Sequence, residues 1–219
     1  MSTGGDRQAR GILAIWHGCA DGREAEIDAW YQGEHLIERL GVPGFLYGRR
    51  HEALSASPRY FTTYVTESVD VLTSRAYLDR LDNPTPLTRT VMSEIFRDMH
   101  RTVCRRELRV GRFRGAFAVT ARFDALPDMP AISALAGALV DDPGIACAEL
   151  WRRCEPESGG PVAQEERLRG GDRRIEACLV VETLREEAAG AVLSDLAGRF
   201  PDAQTGIYRV LCGIGHSGA

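Results

Sequence analysis

The chain has 219 residues, 44% of them hydrophobic, a formal net charge of -4 and a pI near 5.8. That acidic balance argues against a nucleic-acid partner, which normally shows as a basic excess. No apolar run approaches the roughly 20 residues a membrane-crossing helix needs. The first seven residues lack the charged-then-apolar design of a signal peptide, so a cytoplasmic protein is expected.

All 27 basic residues are arginine. Without lysine there is no Schiff-base nucleophile, no pyridoxal-phosphate anchor and no P-loop. Guanidinium groups keep their protons, so they can bind anions but cannot serve as bases. Cys19, Cys104, Cys147, Cys154, Cys178 and Cys212 are scattered without a C-x-x-C pair. They read as free thiols in a reducing compartment rather than as zinc ligands.

Residues 12–18 read as a strand and residues 23–36 as a helix. Ile27, Trp30 and Ile37 recur at helical spacing, and Glu24, Glu26 and Asp28 favour the helix start. Val42-Pro43-Gly44 turns the chain into strands 45–52 and 59–67, joined by a polar loop. A helix over 69–81 breaks at Asp82-Asn83-Pro84-Thr85-Pro86. Thr85 caps a second helix with Pro86 at its first position, running to about residue 99. Residues 101–110 form the next strand.

The layout then repeats: strand 116–123, helix 130–140, the turn Asp142-Pro143-Gly144, strands 145–154 and 174–182, helix 185–200 and strand 205–213. A glycine-rich loop, 158–171, joins the middle strands, and residues 164–174 read as a mobile loop. Arg59 and Glu67 bracket one strand as Arg174 and Glu182 bracket its counterpart, and Arg49-Arg50 matches Arg152-Arg153. A βαββαβ unit leaves one sheet face bare, and the strands here are apolar on both alternations. The expectation is an α+β fold of two tandem ferredoxin-like units, 1–111 and 112–219. Their sheets pack into one barrel within the chain, an intrachain pseudo-dimer that permits but does not require a further homodimer.

Residues 30–45 read Trp30-Tyr31-Gln32-Gly33-Glu34-His35-Leu36-Ile37-Glu38-Arg39-Leu40-Gly41-Val42-Pro43-Gly44-Phe45. This resembles the EthD-like branch of the dimeric α/β-barrel superfamily, where W-Y-x-x-E-H-L-x-E-R-L-x-V-P-G-F recurs. The resemblance runs from about residue 11 to 109 and includes Pro58-Arg59-Tyr60, Glu67-Ser68 and Asn83-Pro84-Thr85-Pro86-Leu87-Thr88. Many relatives carry tryptophan at the place of Leu87 and proline at that of Ile37. Proline would stop the helix near His35, whereas Ile37 lets it continue. The second copy resembles the family in layout only and has Leu135 where the first has His35. The resemblance therefore implies one site per chain. It implies a small hydrophobic, aromatic or polyketide-like ligand between sheet and helices, and chemistry such as cofactor-free oxygenation, cyclisation, decarboxylation or isomerisation. Some branches bind haem, but no cofactor is expected here.

His35 is the leading catalytic candidate, a general base with Tyr31 one helical turn before it and Arg39 one turn after. On an ideal helix, however, His35 points away from the Ile27–Trp30–Ile37 stripe, into solvent. Glu34 would orient the ring only if the helix ended there. Tyr47, Arg49 and His51 share a strand alternation with Phe45 and line the cavity if that alternation faces it; otherwise His51 is a strand-end residue at the water boundary. His17 follows Trp16 at the mouth end of the first strand. Trp16, Trp30, Tyr31, Tyr47, Tyr60 and Tyr64 read as an aromatic pocket or as core packing. At most one of Arg49 and Arg50 faces the cavity, because adjacent strand residues point oppositely. His100 and His216 read as surface residues. His17, His35, His51 and Glu34 lack local metal-ligand spacing, so no metal is expected, and no histidine stands out as a haem ligand. The rivals to an enzyme are a non-catalytic binding or accessory protein and a purely structural subunit.

Overall fold

Alternation along each strand decides which of two cores a side chain enters. In β1 (Gly11–Cys19), Ile12, Ala14 and Trp16 turn one way, and Leu13 and Ile15 the other. Both sets are buried, which is why the strands carry apolar residues on both alternations. The computed structural model describes residues 10–154 and 163–215. The expectations for residues 1–7, for the first part of the 158–171 loop and for His216 lie outside the described residues.

The other strands are β2 (Phe45–Ser55), β3 (Tyr60–Thr66), β4 (Phe96–Val110), β5 (Phe117–Phe123), β6 (Ile145–Arg153), β7 (Ala177–Thr183) and β8 (Gln204–Gly215). They form a closed antiparallel barrel in the order β1-β3-β2-β8-β5-β7-β6-β4. The first four strands take the order β4-β1-β3-β2 and the last four the order β8-β5-β7-β6, so the halves repeat one topology. They join by hydrogen bonds at both seams, β2 with β8 and β4 with β6. Closure leaves no exposed sheet edge. The lumen is filled, with Trp16 stacked on Phe61 at 4.7 Å and Trp151, Tyr208, Cys104 and Cys178 packed around them.

Helices cover the outer face. The first half carries α1 (Glu24–Trp30), α2 (Leu36–Leu40), α3 (Arg75–Asp82) and α4 (Pro86–Thr90). Ser74 caps α3, and Thr85 caps α4 with Pro86 at its start. Residues 69–73, expected as α-helix, form a tighter 3-10 turn. The last helix ends at Ile95 rather than near residue 99, because Phe96 is extended and opens β4. The second half carries α5 (Met129–Leu139), α6 (Gln164–Leu168) and α7 (Glu186–Arg199). Residues 164–174 are not the loose loop expected from their composition. There α6 crosses onto the first half, where Glu165 and Asp172 are buried in ion pairs. Among the described residues no helix is long and apolar enough to cross a membrane.

Candidate functional site

The helix predicted over 23–36 runs on to Leu40, as Ile37 allows, but it is not continuous α-helix. Residues Tyr31–His35 form a π turn between α1 and α2. A π turn holds one extra residue, which rotates everything after it by about 100°. The stripe predicted from Ile27, Trp30 and Ile37 therefore breaks. Ile37 is 56% exposed, while His35 is only 4% exposed and faces the sheet. The expectation that an ideal helix would aim His35 at solvent fails for this reason. A second π turn, Val91–Ile95, follows α4.

His35 stacks on Trp30, ring centres 4.0 Å apart, and meets Tyr31 and Tyr64 edge-on. Its Nδ1 has no hydrogen-bond partner. Burial, then the charges of Arg39 and Arg169, holds its pKa well below the ordinary 6.5, so the ring is neutral. Glu34 does not orient the ring directly. It accepts hydrogen bonds from Thr85 and Thr88, each at 2.6 Å, and Thr88 accepts one from Trp30 Nε1 at 2.9 Å. Glu34 thus fixes the indole on which His35 lies. Gly48 permits this packing, because a Cβ there would sit 2.8 Å from the Tyr64 ring.

His17 is fully buried and belongs to the same side of the sheet. Its Nδ1 lies 2.9 Å from the Gly18 carbonyl, which can only accept. Nδ1 therefore carries the proton, and Nε2 accepts the Tyr31 hydroxyl at 3.1 Å. Burial lowers the His17 pKa to about 3 and pushes the Tyr31 phenol up, so both stay neutral. The Arg50 guanidinium lies 4.0 Å over the Tyr31 ring, held by Asp28 at 2.9 Å.

Tyr31, His35, Arg39, Arg101, Glu165 and Arg169, with Met92, Phe96 and Met99, line a cavity of about 20 Å³. That is room for about one water molecule. Arg39 bonds Glu165 at 2.6 Å with both side chains buried, yet its Nη1 has no hydrogen-bond partner. Arg169 bonds Asp172 at 2.6 Å. The cavity thus joins a neutral imidazole to an incompletely satisfied guanidinium, a combination suited to taking a proton and holding the resulting anion.

Trp30, Tyr31, Tyr64 and His17 gather around His35, and Tyr60 stacks on His17 at 5.2 Å. Trp16, Tyr47, Arg49 and His51 do not join them; they lie on the barrel side of the sheet. A register shift between Phe45 and Tyr47 sends Phe45 to the helix-side core and Tyr47 to the lumen. Arg49 is already neutralised there by Glu182 at 2.7 Å. His51 is not at a water boundary but 2% exposed, its Nδ1 bonded to the Phe61 carbonyl and its Nε2 unpartnered. His100, expected at the surface, is 8% exposed.

The sheet separates His51 from His17 and His35, and among the described residues no group of His, Cys, Asp and Glu side chains could hold a metal. A haem does not fit the residues present. The helix-side core of the second half is filled by apolar side chains, and the His35 cavity is far too small. Sequence reasoning missed Arg50, Glu165, Arg169 and Arg101. Arg50 was recoverable from the alternation once Arg49 is assigned to the other face. Glu165 and Arg169 come from the other half of the chain and carry no local signal.

No protein-family model matches the chain, and no curated protein matches it in sequence. Among solved structures it is similar to an anthrone oxidase-like protein, with 98% of each chain covered, a TM-score of 0.65 and 12% identity. A presumptive monooxygenase of Fusobacterium nucleatum subsp. nucleatum matches over 98% of both chains with a TM-score of 0.59 and 11% identity. Chlorite dismutase of Candidatus Nitrospira defluvii matches over 94% of this chain and 93% of that one, at a TM-score of 0.53 and 10% identity. At such identities the likeness establishes the fold, that of the dimeric α+β barrel.

Proposed function

We propose that this protein is a small-molecule enzyme of the dimeric α/β-barrel type, acting on a hydrophobic, aromatic or polyketide-like substrate without a cofactor. It is read as an EthD-like, cytoplasmic, tandem-repeat member whose units are residues 1–111 and 112–219. The observation that carries the reading is the pairing, over one cavity, of a buried His35 Nδ1 and an Arg39 Nη1 that both lack a hydrogen-bond partner, Nη1 having only the Glu38 carboxylate 3.6 Å away. The common first step is removal of an acidic C–H proton by His35, with Arg39 holding the enolate. Tyr31, backed by His17, supplies a phenol beside the ring. Burial is the larger cause of the low His35 basicity, and a substrate bearing negative charge offsets the smaller part that comes from the arginines. The anthrone oxidase-like and monooxygenase neighbours support oxygenation as the later step, the enolate carbon reducing dioxygen and bonding to it as a peroxide, which loses water and leaves one oxygen atom on the carbon as a carbonyl.

A second reading is a non-catalytic ligand-binding or accessory protein; the cavity's volume of about 20 Å³, which admits no aromatic ring, favours instead a purely structural subunit. Screening aromatic acids and phenols for thermal stabilisation identifies a ligand. His35→Gln is then compared with the native chain. The enzyme reading expects turnover to fall about 100-fold or more with the fold intact. Unchanged turnover removes His35 from the chemistry. Retained affinity with no product from either protein supports the second reading.

A further inference from the structure

A concavity far larger than the His35 cavity lies elsewhere. It is a groove of about 930 Å³ at one end of the barrel, where β1, β2 and β5 begin and β3 and β4 finish. Its volume suits a small-molecule site. Arg10, Arg106, Arg109, Arg112 and Arg114 line it, against one lining carboxylate, Glu67. Beneath them the buried Glu149 pairs with Arg106 and Arg109. Arg114 lies 3.7 Å over the Tyr47 ring and reaches Glu182 only at 3.9 Å, a carboxylate already held by Arg49. Arg10 and Arg112 have no ion pair among the described residues.

The cations are held in place by the backbone. The Arg10 carbonyl accepts a hydrogen bond from the Arg106 amide at 3.0 Å. Gly111, at φ 85°, lets the Arg112–Arg114 loop press on β6, where any Cβ would meet the Ala146 carbonyl oxygen at 2.4 Å. In a chain of net charge -4, this is a fixed concentration of cations that cannot lose their charge. Such a group repels itself until an anion enters, and guanidinium forks match phosphate and carboxylate oxygens.

We infer that this groove is a binding site for a small polyvalent oxyanion, a ligand with two or more phosphate or carboxylate groups. Arg10, Arg112 and Arg114 contact it, and the Arg106–Glu149–Arg109 cluster forms the floor. The groove is separate from the His35 cavity, so the two readings stand or fall independently.

Calorimetric titration of the full chain at low salt tests this, with inorganic pyrophosphate and citrate as probes. The site predicts saturable one-to-one binding of at least one probe, weakening as salt rises. Pyrophosphate alone marks a phosphoanhydride site, citrate alone a polycarboxylate site, and either supports the oxyanion class. The double variant Arg10→Gln with Arg112→Gln, melting as the native chain does without anion, is expected to bind about tenfold more weakly or worse. Arg199→Gln, on α7, leaves binding unchanged. No saturable binding of either probe, undiminished binding in the double variant, or equal weakening by Arg199→Gln overturns the assignment.

Discussion

The two helix-covered faces of this barrel share a topology and differ in chemistry. In the second half, Ile132, Ala136, Ala189 and Leu196 close over Val181 and Leu179 as a mostly aliphatic core that also holds Phe123. In the first half, the corresponding layer buries His17, His35 and Arg39, and its helices are broken by two π turns. Leu135, as far before Gly144 as His35 is before Gly44, packs partly buried against the second-half core. One half serves as scaffold, which frees the other to hold polar groups that weaken packing and, under the proposed function, perform chemistry.

Acidification separates the halves most strongly. Above pH 6.5 the rings of His17, His35 and His51 are neutral in both folded and unfolded chains, and stability does not depend on them. Below 6.5 the unfolded chain takes up protons that the folded chain refuses, so stability falls as pH falls, until folded His17 and His51 titrate near 3. Each ring contributes up to about 1.4 kcal/mol per pH unit within that window. None of the three belongs to the aliphatic core of the second half. Denaturant melts across this range are expected to show a steep loss, flattened by one proton's worth in His17→Gln. An unchanged slope in that variant would mean that the ring titrates freely in the fold.

Arg39→Met removes the 2.6 Å partner of the buried Glu165 and leaves its Arg169 ion pair at 3.9 Å, and is expected to cost about 3 kcal/mol or more. Leu179→Ala, fully buried in the second core, is expected to cost about 2–5 kcal/mol through its cavity. The comparison is sharpened by the ligand's thermal shift, which Arg39→Met abolishes and Leu179→Ala preserves. Equal effects on the shift would erase the division between scaffold and site. The helix caps give the smallest effect. Thr85→Ala and Asp128→Ala each remove a side-chain cap and are expected to cost about 1 kcal/mol. Only Thr85→Ala also removes one of the two hydrogen bonds that hold Glu34, so ligand affinity is expected to drop in that variant alone.

Much of the fold was legible because apolar residues occupy both alternations of most strands, which demands two buried faces, and because Thr85-Pro86 marks a helix start without ambiguity. The site was legible only in part. Tyr31, His35 and Arg39 do share a face, but the π turn that presents them has no sequence signature separate from that of an α-helix. The register shift after Phe45 moved Tyr47, Arg49 and His51 to the lumen, because one extra residue on a strand exchanges its faces. Glu165 and Arg169 reach the cavity from the other half of the chain, over the seam between β4 and β6, a contact that periodicity along the chain does not encode.

The central claim is that the ligand binds on the helix side of the first half and not in the lumen. Histidine-selective labelling and NMR test it directly, using a ligand from the thermal screen. The account predicts that the His35 and His17 ring signals shift on saturation while that of His51 stays in place. A shift at His51 with His35 and His17 unmoved would contradict it.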